Sequence, residues 1–381
     1  MKILYGVQGT GNGHISRSRL IATELSKRNV TVDYLFSGRP ADKFFDMEAF
    51  GEYKARPGFT FMTSQGAINY VKTALGFQPL TFMHDMQNLN LNDYDFVISD
   101  FEPITAWASK HKKRDALGIS HQASFLHNIP KVKGDFFSSV TLKYFAPTAR
   151  HIGLHWYHFG HPILPPVIEK LANDPHENGV LVYLPFESLQ AIEDVLLPIK
   201  QVQFICYHPE ITSEYLNGNI IFKSLNRHGF TQDLGRSSGV ICNAGFELAS
   251  EALSLSKRIL VKPLEKQYEQ QTNAMTLHLL GLGSTMNTLD TRMIQQWLDK
   301  PSIGQVFYPD VASELAAWIA DEQRESVESL SERLWKQVIY PETVLEHLDE
   351  LGMGSELTQS PLIGMNRNGM NRRQRQASRE L

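Results

Sequence analysis

Cysteine is scarce: the 381-residue chain has two, Cys206 and Cys242, each inside a short β-rich run. With no pattern of paired cysteines there is no disulfide framework, and both thiols read as reduced core residues of a cytoplasmic protein. No apolar run approaches the roughly twenty residues that cross a bilayer, so no membrane span is expected. The first residues, MKILYGVQG, are too short for a signal peptide and read as a first strand. Charge of one sign is lacking too: 37 Lys and Arg stand against 41 Asp and Glu, a formal net charge of −4, which gives no reason to expect nucleic-acid binding. What is present is a 42% hydrophobic and 10% aromatic composition, enough at this length for two sizeable cores.

The opening, KILYGVQGTGNGHISRSRLIATELSKRNVTVDYLFS, reads as strand, glycine loop, helix and strand, the start of a doubly wound α/β domain. Gly9, Gly11 and Gly13 let the loop turn tightly and come close to a ligand. The spacing G-x-G-x-G-H is not the dinucleotide G-x-G-x-x-G, and Asp33 lies too early in the second strand to hold a ribose. His14 follows this loop at a helix start, on the side of the sheet where ligands bind; the alternative is a capping histidine. Asp100 closes the β-rich run 96–99 ahead of a helix beginning near Pro103. It is either a helix cap or, with His14 in a parallel strand's loop, the carboxylate that orients the imidazole. The segment from Phe44 to Met86 is rich in Phe, Met and Tyr without a clean period, which suits buried edges or an apolar groove for a ligand.

Pro162, Pro165 and Pro166 fall within five positions, so the domain boundary is placed there, with domains at 1–160 and 161–345. His151, His155, His158 and His161 surround it. With no interleaved cysteine or carboxylate they read as strand end and linker, and no metal site is expected. Beyond it, GVLVYLPF, QFICYHP, NIIFKSL, GVICNA and RILVKPL are strands of a second doubly wound domain, and the loop LPFES has no glycine. The stretch 355–381 ends in a basic tail with Arg367, Arg372, Arg373, Arg375 and Arg379. It reads as disordered, with peripheral contact to the anionic inner face of a membrane as a second reading.

The most informative stretch is 239–283, GVICNAGFELASEALSLSKRILVKPLEKQYEQQTNAMTLHLLGLG. It predicts a strand over 240–242, a turn at Gly245, a helix over 246–255, a strand over 258–261 and a helix over 270–280. Polar residues after Cys242 and Val261 should therefore converge on one crevice, and a helix starting at Phe246 offers free N–H groups to a phosphate.

Counted from Asn243, with Gly245 two and Glu251 eight residues on and then Glu269, Gln270 and Asn273, this stretch resembles the nucleotide-sugar signature of GT-B glycosyltransferases. Both the peptidoglycan N-acetylglucosaminyltransferase and the UDP-sugar glycosyltransferases carry it. The resemblance departs at Asn243, where a phosphate-binding His is usual, and at Glu247 and Leu248, where Asn and Ser or Thr are usual. It implies an α/β GT-B fold of two doubly wound Rossmann-like domains facing a central crevice. It further implies a UDP-linked or other nucleotide-sugar donor held by Asn243, Gly245, Phe246, Glu247, Glu251, Glu269, Gln270 and Asn273. Glu251 would hold the ribose, and Glu269 with Gln270 the sugar. His14, after the glycine loop, would be the base that activates an acceptor hydroxyl, supported by Asp100, while Arg17 would be among the basic residues that meet the phosphate charge, and the sugar would move with inversion. No metal and no cofactor are implied. The D-x-D pair Asp93 and Asp95, which chelates metal in the other large glycosyltransferase fold, precedes its strand and falls at the wrong end of the sheet. An unidentified acceptor, lipid-linked or aromatic, would suit the groove at 44–86. A 2-epimerase of the same fold and a non-catalytic nucleotide-sugar sensor are the alternative readings.

Overall fold

The computed structural model describes residues 1–44, 46–59, 63–64, 67–68, 78–134, 141–174 and 179–353. The basic tail at 355–381, and with it the expected disorder and membrane contact, lies outside the described residues, as does 69–77 of the proposed acceptor groove. Among the described residues no helix is long and apolar enough to cross a membrane.

Two parallel sheets form the frame. The first runs in the order Tyr53–Arg56, Thr31–Ser37, Lys2–Gln8, Phe96–Asp100, Leu117–Ser120, Arg150–Leu154 and Ile163–Leu164. All of its pairings are parallel. The second runs Tyr215–Asn217, Ile220–Lys223, Phe204–Tyr207, Val180–Tyr183, Gly239–Cys242, Arg258–Val261 and Ser284–Thr285, with only its first edge strand antiparallel. Val, Ile, Leu and Phe at consecutive positions, as in FVIS and RILV, suit strands covered on both faces. Each sheet has a switch point, at Lys2–Gln8 beside Phe96–Asp100 in the first and at Val180–Tyr183 beside Gly239–Cys242 in the second. Crevices open at the carboxyl ends of strands at such points.

The first sheet continues past the proline cluster's first member, because Ile163–Leu164 pairs with Arg150–Leu154. The boundary expected at 160/161 therefore falls inside the first sheet, and the chain crosses to the second between 165 and 179. Pro162 precedes a two-residue edge strand, where a missing ladder donor matters little. The terminal helices pack back on the first domain. Trp335 Nε1 donates to Ile163 O at 2.6 Å and Arg28 Nη2 to Ser313 O at 2.8 Å. Trp156 Nε1 reaches Ser250 Oγ at 2.8 Å, and one continuous buried apolar cluster runs from Ile3 and Ile98 through Trp156 and Phe246 to Leu334 and Leu348. Both cysteines are free and buried in the second sheet. The histidines of the boundary serve the chain's own turns: His155 Nδ1 accepts from Trp156 N and His158 Nδ1 from Gly160 N, each at 2.9 Å.

Candidate active site

A cavity of about 720 Å³ lies between the two sheets' carboxyl ends. The first domain lines it with Gly11, Gly13, His14 and Arg17, and the second with Asn243, Gly245, Phe246, Glu247, Glu251, Glu269 and Gln270. The expected residues thus converge, with three set back from the wall. Asp100 is fully buried behind His14. Gly9 packs under Phe44, its N–H bonded to Ser37 O at 2.6 Å. Asn273, expected to touch the donor, is buried beneath the turn, where its Nδ2 donates to Ala244 O at 3.0 Å and its Oδ1 faces His121 Nε2 at 2.6 Å.

Two helices open on this cavity with no capping side chain, Asn12–Ser26 from Gly11 and Phe246–Ser254 from Gly245. Their first N–H groups, and the positive ends of their dipoles, are left for a ligand. A Cβ at Gly245 would meet open space, so it is the close approach to a ligand, not packing, that a side chain would hinder there.

His14 is joined to a buried charge cluster. Its Nδ1 lies 2.7 Å from Asp100 Oδ1, and Asp100 Oδ2 accepts from Arg17 Nε at 2.6 Å and Ser18 Oγ at 3.1 Å. Arg17 Nη2 also bonds Asp100 Oδ1, and Arg17 Nη1 bonds Glu247 of the other domain. Burial pushes the Asp100 carboxyl up, but the Arg17 guanidinium and His14 outweigh it and hold the group below its ordinary 3.8. The helix Pro103–His111 is capped by Glu102, whose carboxylate accepts from Ile104 N and Thr105 N, so Asp100 is not the cap. Phe101, between the two acids, takes a left-handed φ of 50° and lays its ring beside His14 at 6.3 Å.

On the second domain's wall, burial first, with Glu169 and Glu247 adding and Arg227 opposing, pushes the Glu251 carboxyl up to about 7. Asn243 Nδ2 donates to Lys262 O at 2.9 Å, while its Oδ1 is buried with no partner among the described residues. Asp95 sits at the opposite end of the first sheet, its Oδ2 accepting from Lys2 N at 2.7 Å. Residues that sequence reasoning passed over also line the cavity: Arg39, Gln122, Tyr183 and Lys266. Gln122 and Tyr183 follow or end strands at the crevice side, the one signal that was available for them.

Two doubly wound domains facing a cavity at the carboxyl ends of their strands make this a GT-B fold. The profile of the family described as glycosyl transferase family 1 matches residues 1–301, and the chain belongs to that family. No curated protein matches it by sequence. Among solved structures it is similar to LpCGTa in complex with UDP, at 13% identity over 87% of this chain and 98% of that one, with a TM-score of 0.55. It is similar also to Arabidopsis thaliana UGT89C1 complexed with UDP, at 11% identity over 94% and 100% of the two chains and a TM-score of 0.53. The spinosyn forosaminyltransferase SpnP gives 11% identity over 94% and 100%, with a TM-score of 0.55. At such identities the likeness is one of fold.

Proposed function

We propose that the protein transfers a sugar, of the hexose type, from a nucleotide-sugar donor to an acceptor hydroxyl, with inversion and without a metal ion or cofactor. The observation that carries this reading is the His14–Asp100 pair, 2.7 Å apart, with His14 lining the cavity that the second domain's uncapped helix also lines and Asp100 buried behind it. His14 Nδ1 faces both Asp100 Oδ1 and Arg17 Nη2. With the proton on Nδ1 and donated to the carboxylate, Nε2 turns its lone pair to the cavity, as a base requires. Nε2 takes the acceptor's proton while the oxygen attacks the anomeric carbon, the bond to the phosphate oxygen breaks, and the nucleotide departs. Asp100 stabilises the imidazolium that forms. General-base assistance contributes about 10²- to 10⁴-fold, and alignment in the cavity and charge stabilisation of the leaving phosphate the rest.

Two of the similar structures are complexes with UDP, which makes UDP the first nucleotide to try. Glu251 holds the ribose and Glu269 with Gln270 the sugar, while phosphate charge is met by N–H groups at the start of the Phe246–Ser254 helix. Lys266 of the second domain and Arg39 of the first add positive charge in the same cavity. The reaction runs in the cytoplasm on this reading. A thermal-shift panel of nucleotide sugars tests it, since a ligand at a hundred times its Kd stabilises by about 2.7 kcal/mol. A panel with no shift for any nucleotide or nucleotide sugar would refute it. Turnover unchanged in EDTA is expected, and loss restored by Mn²⁺ or Mg²⁺ would refute the metal-free mechanism.

A further inference from the structure

Gln122 follows the Leu117–Ser120 strand of the first domain, yet its side chain reaches across the seam. It is 6% exposed and sits in the cavity wall. Its Nε2 donates to Glu269 Oε2 at 2.9 Å and lies 3.5 Å from His14 Nε2. Its Oε1 is buried with no hydrogen-bond partner among the described residues. The orientation of the amide follows from chemistry: an ionised Glu269 only accepts, so the nitrogen faces it and the oxygen is the end left over. A buried carbonyl oxygen without a donor is costly, and such atoms are rare in native proteins. The Gln122 side chain lines the cavity between the groups assigned to the proton transfer and to the sugar, so a ligand hydroxyl, met by a small rotation of the amide, is the donor this buried oxygen lacks.

We infer that Gln122 is a sugar-binding residue contributed by the first domain. Its Oε1 accepts a hydrogen bond from a hydroxyl of the transferred sugar, while its Nε2–H holds Glu269 in the position that grips the same ring. The inference rests on the nucleotide-sugar reading above. It has two consequences. The sugar is clasped from both domains beside His14 Nε2, so it is fully seated only with the seam closed. The hydroxyl must also be a donor: a deoxy or O-methyl group at that position leaves Oε1 unpaired, the kind of mismatch that sites built for a hydroxyl reject strongly.

The nucleotide portion touches neither Gln122 nor Glu269, and this separates a sugar contact from a structural tie. Calorimetry on the full chain compares wild type, Gln122→Leu and Gln122→Glu with UDP and dTDP and with their hexose conjugates. In wild type, at least one hexose conjugate binds more tightly than its nucleotide. Gln122→Leu keeps the nucleotide affinity within about twofold, which also reports an intact fold, and loses about tenfold for the hexose conjugate. Gln122→Glu sets a second carboxylate against Glu269 and shows a loss that is larger at pH 8 than at pH 5.5. A wild-type ratio of conjugate to nucleotide affinity in Gln122→Leu overturns the inference, and so does an equal loss for both ligands, the mark of a structural tie. A wild type that binds no nucleotide and no conjugate overturns the nucleotide-sugar reading and this inference with it, and that outcome is recognisable because it needs no variant.

Discussion

Replacing Asp100 by Asn should damage stability and turnover together, whereas replacing His14 by Ala should damage turnover alone. Asp100 is fully buried and accepts from His14, from two nitrogens of Arg17 and from Ser18. Arg17 is 2% exposed, so without the Asp100 charge its guanidinium stays buried with Glu247 as its remaining carboxylate. Breaking a buried pair from one side costs about 3–5 kcal/mol. Glu247 still compensates part of this, so the loss should be about 2–4 kcal/mol, or roughly 2.5–5 °C in Tm for a chain of this size. Arg17→Met alone should cost a similar amount, and the double variant no more than either single, because both charges are then gone. His14 is 13% exposed and leaves the Asp100–Arg17 pair intact, so His14→Ala should shift Tm by at most a degree or two. The carboxyl's folded value lies below 3.8, so its contribution to stability is present above that pH and is lost as the pH falls through the folded value. Asp100→Asn should therefore flatten the acid limb of the stability profile. Thermal unfolding between pH 3 and 8 checks all of this. An Asp100→Asn protein with wild-type Tm at pH 7, or additive losses in the double variant, would refute the cluster as the source of the stability.

On turnover, His14→Ala should cost roughly 10²-fold or more with donor affinity kept, and the double with Asp100→Asn should be little worse, as for residues acting in one proton transfer. Fully multiplicative losses would mean that His14 works without Asp100. For Glu251, whose carboxyl is pushed up to about 7 from 4.5, the folded state binds a proton that the unfolded state has released between those values. Its contribution to stability falls as pH rises through that window, so Glu251→Gln should gain about 1–2 kcal/mol on wild type between pH 5 and 8, discounted for the solvent-filled cavity it lines. A parallel pair of stability profiles would refute it. Glu251→Ala should weaken donor binding at least tenfold in calorimetry with the fold intact. A Cβ at Gly6 would meet Thr105 Oγ1 and lie 2.8 Å from Glu102 Oε2, so Gly6→Ala should destabilise by about 1–3 kcal/mol in denaturant titration.

The parts of the site that could be read from the chain are those whose chemistry is local. Glycines at 9, 11 and 13 ahead of a helical pattern, Asp100 at the end of FVIS, and the run from Asn243 to Glu251 each carry their position in a few neighbouring residues. Gln122 does not. Its helix, His121–Ser124, has four residues and no period, and its place beside His14 comes from Leu117–Ser120 lying next to Phe96–Asp100 in the sheet. Arg17 is similar: one turn after His14 on a helix, it could be read as lining the loop, but not as a buried bridge to a glutamate 230 residues away. The first sheet's extension past Pro162 is hidden for a related reason, since the two-residue strand Ile163–Leu164 gives too short a pattern to compete with three prolines.

The departure at Glu247 acquires a physical reason from that bridge. An acid in the first turn of the helix that would meet a phosphate is electrostatically adverse to the ligand, although it suits the helix dipole itself. Here the acid's charge is turned on Arg17, and Gly13 is bare because a Cβ there would run into Glu247 Oε2. One guanidinium thus serves a carboxylate from each domain, Asp100 behind the base and Glu247 beside the helix end, and fixes the distance between them. Because Arg17 is engaged on both sides, it is poorly placed to carry the charge of a departing phosphate. On the proposed reaction that duty falls to backbone N–H groups after Gly245, with Lys266 of the second domain and Arg39 of the first in the same cavity. Arg17 is then a positioning residue that sets His14 against the second domain, which is why its loss should register in stability as much as in turnover.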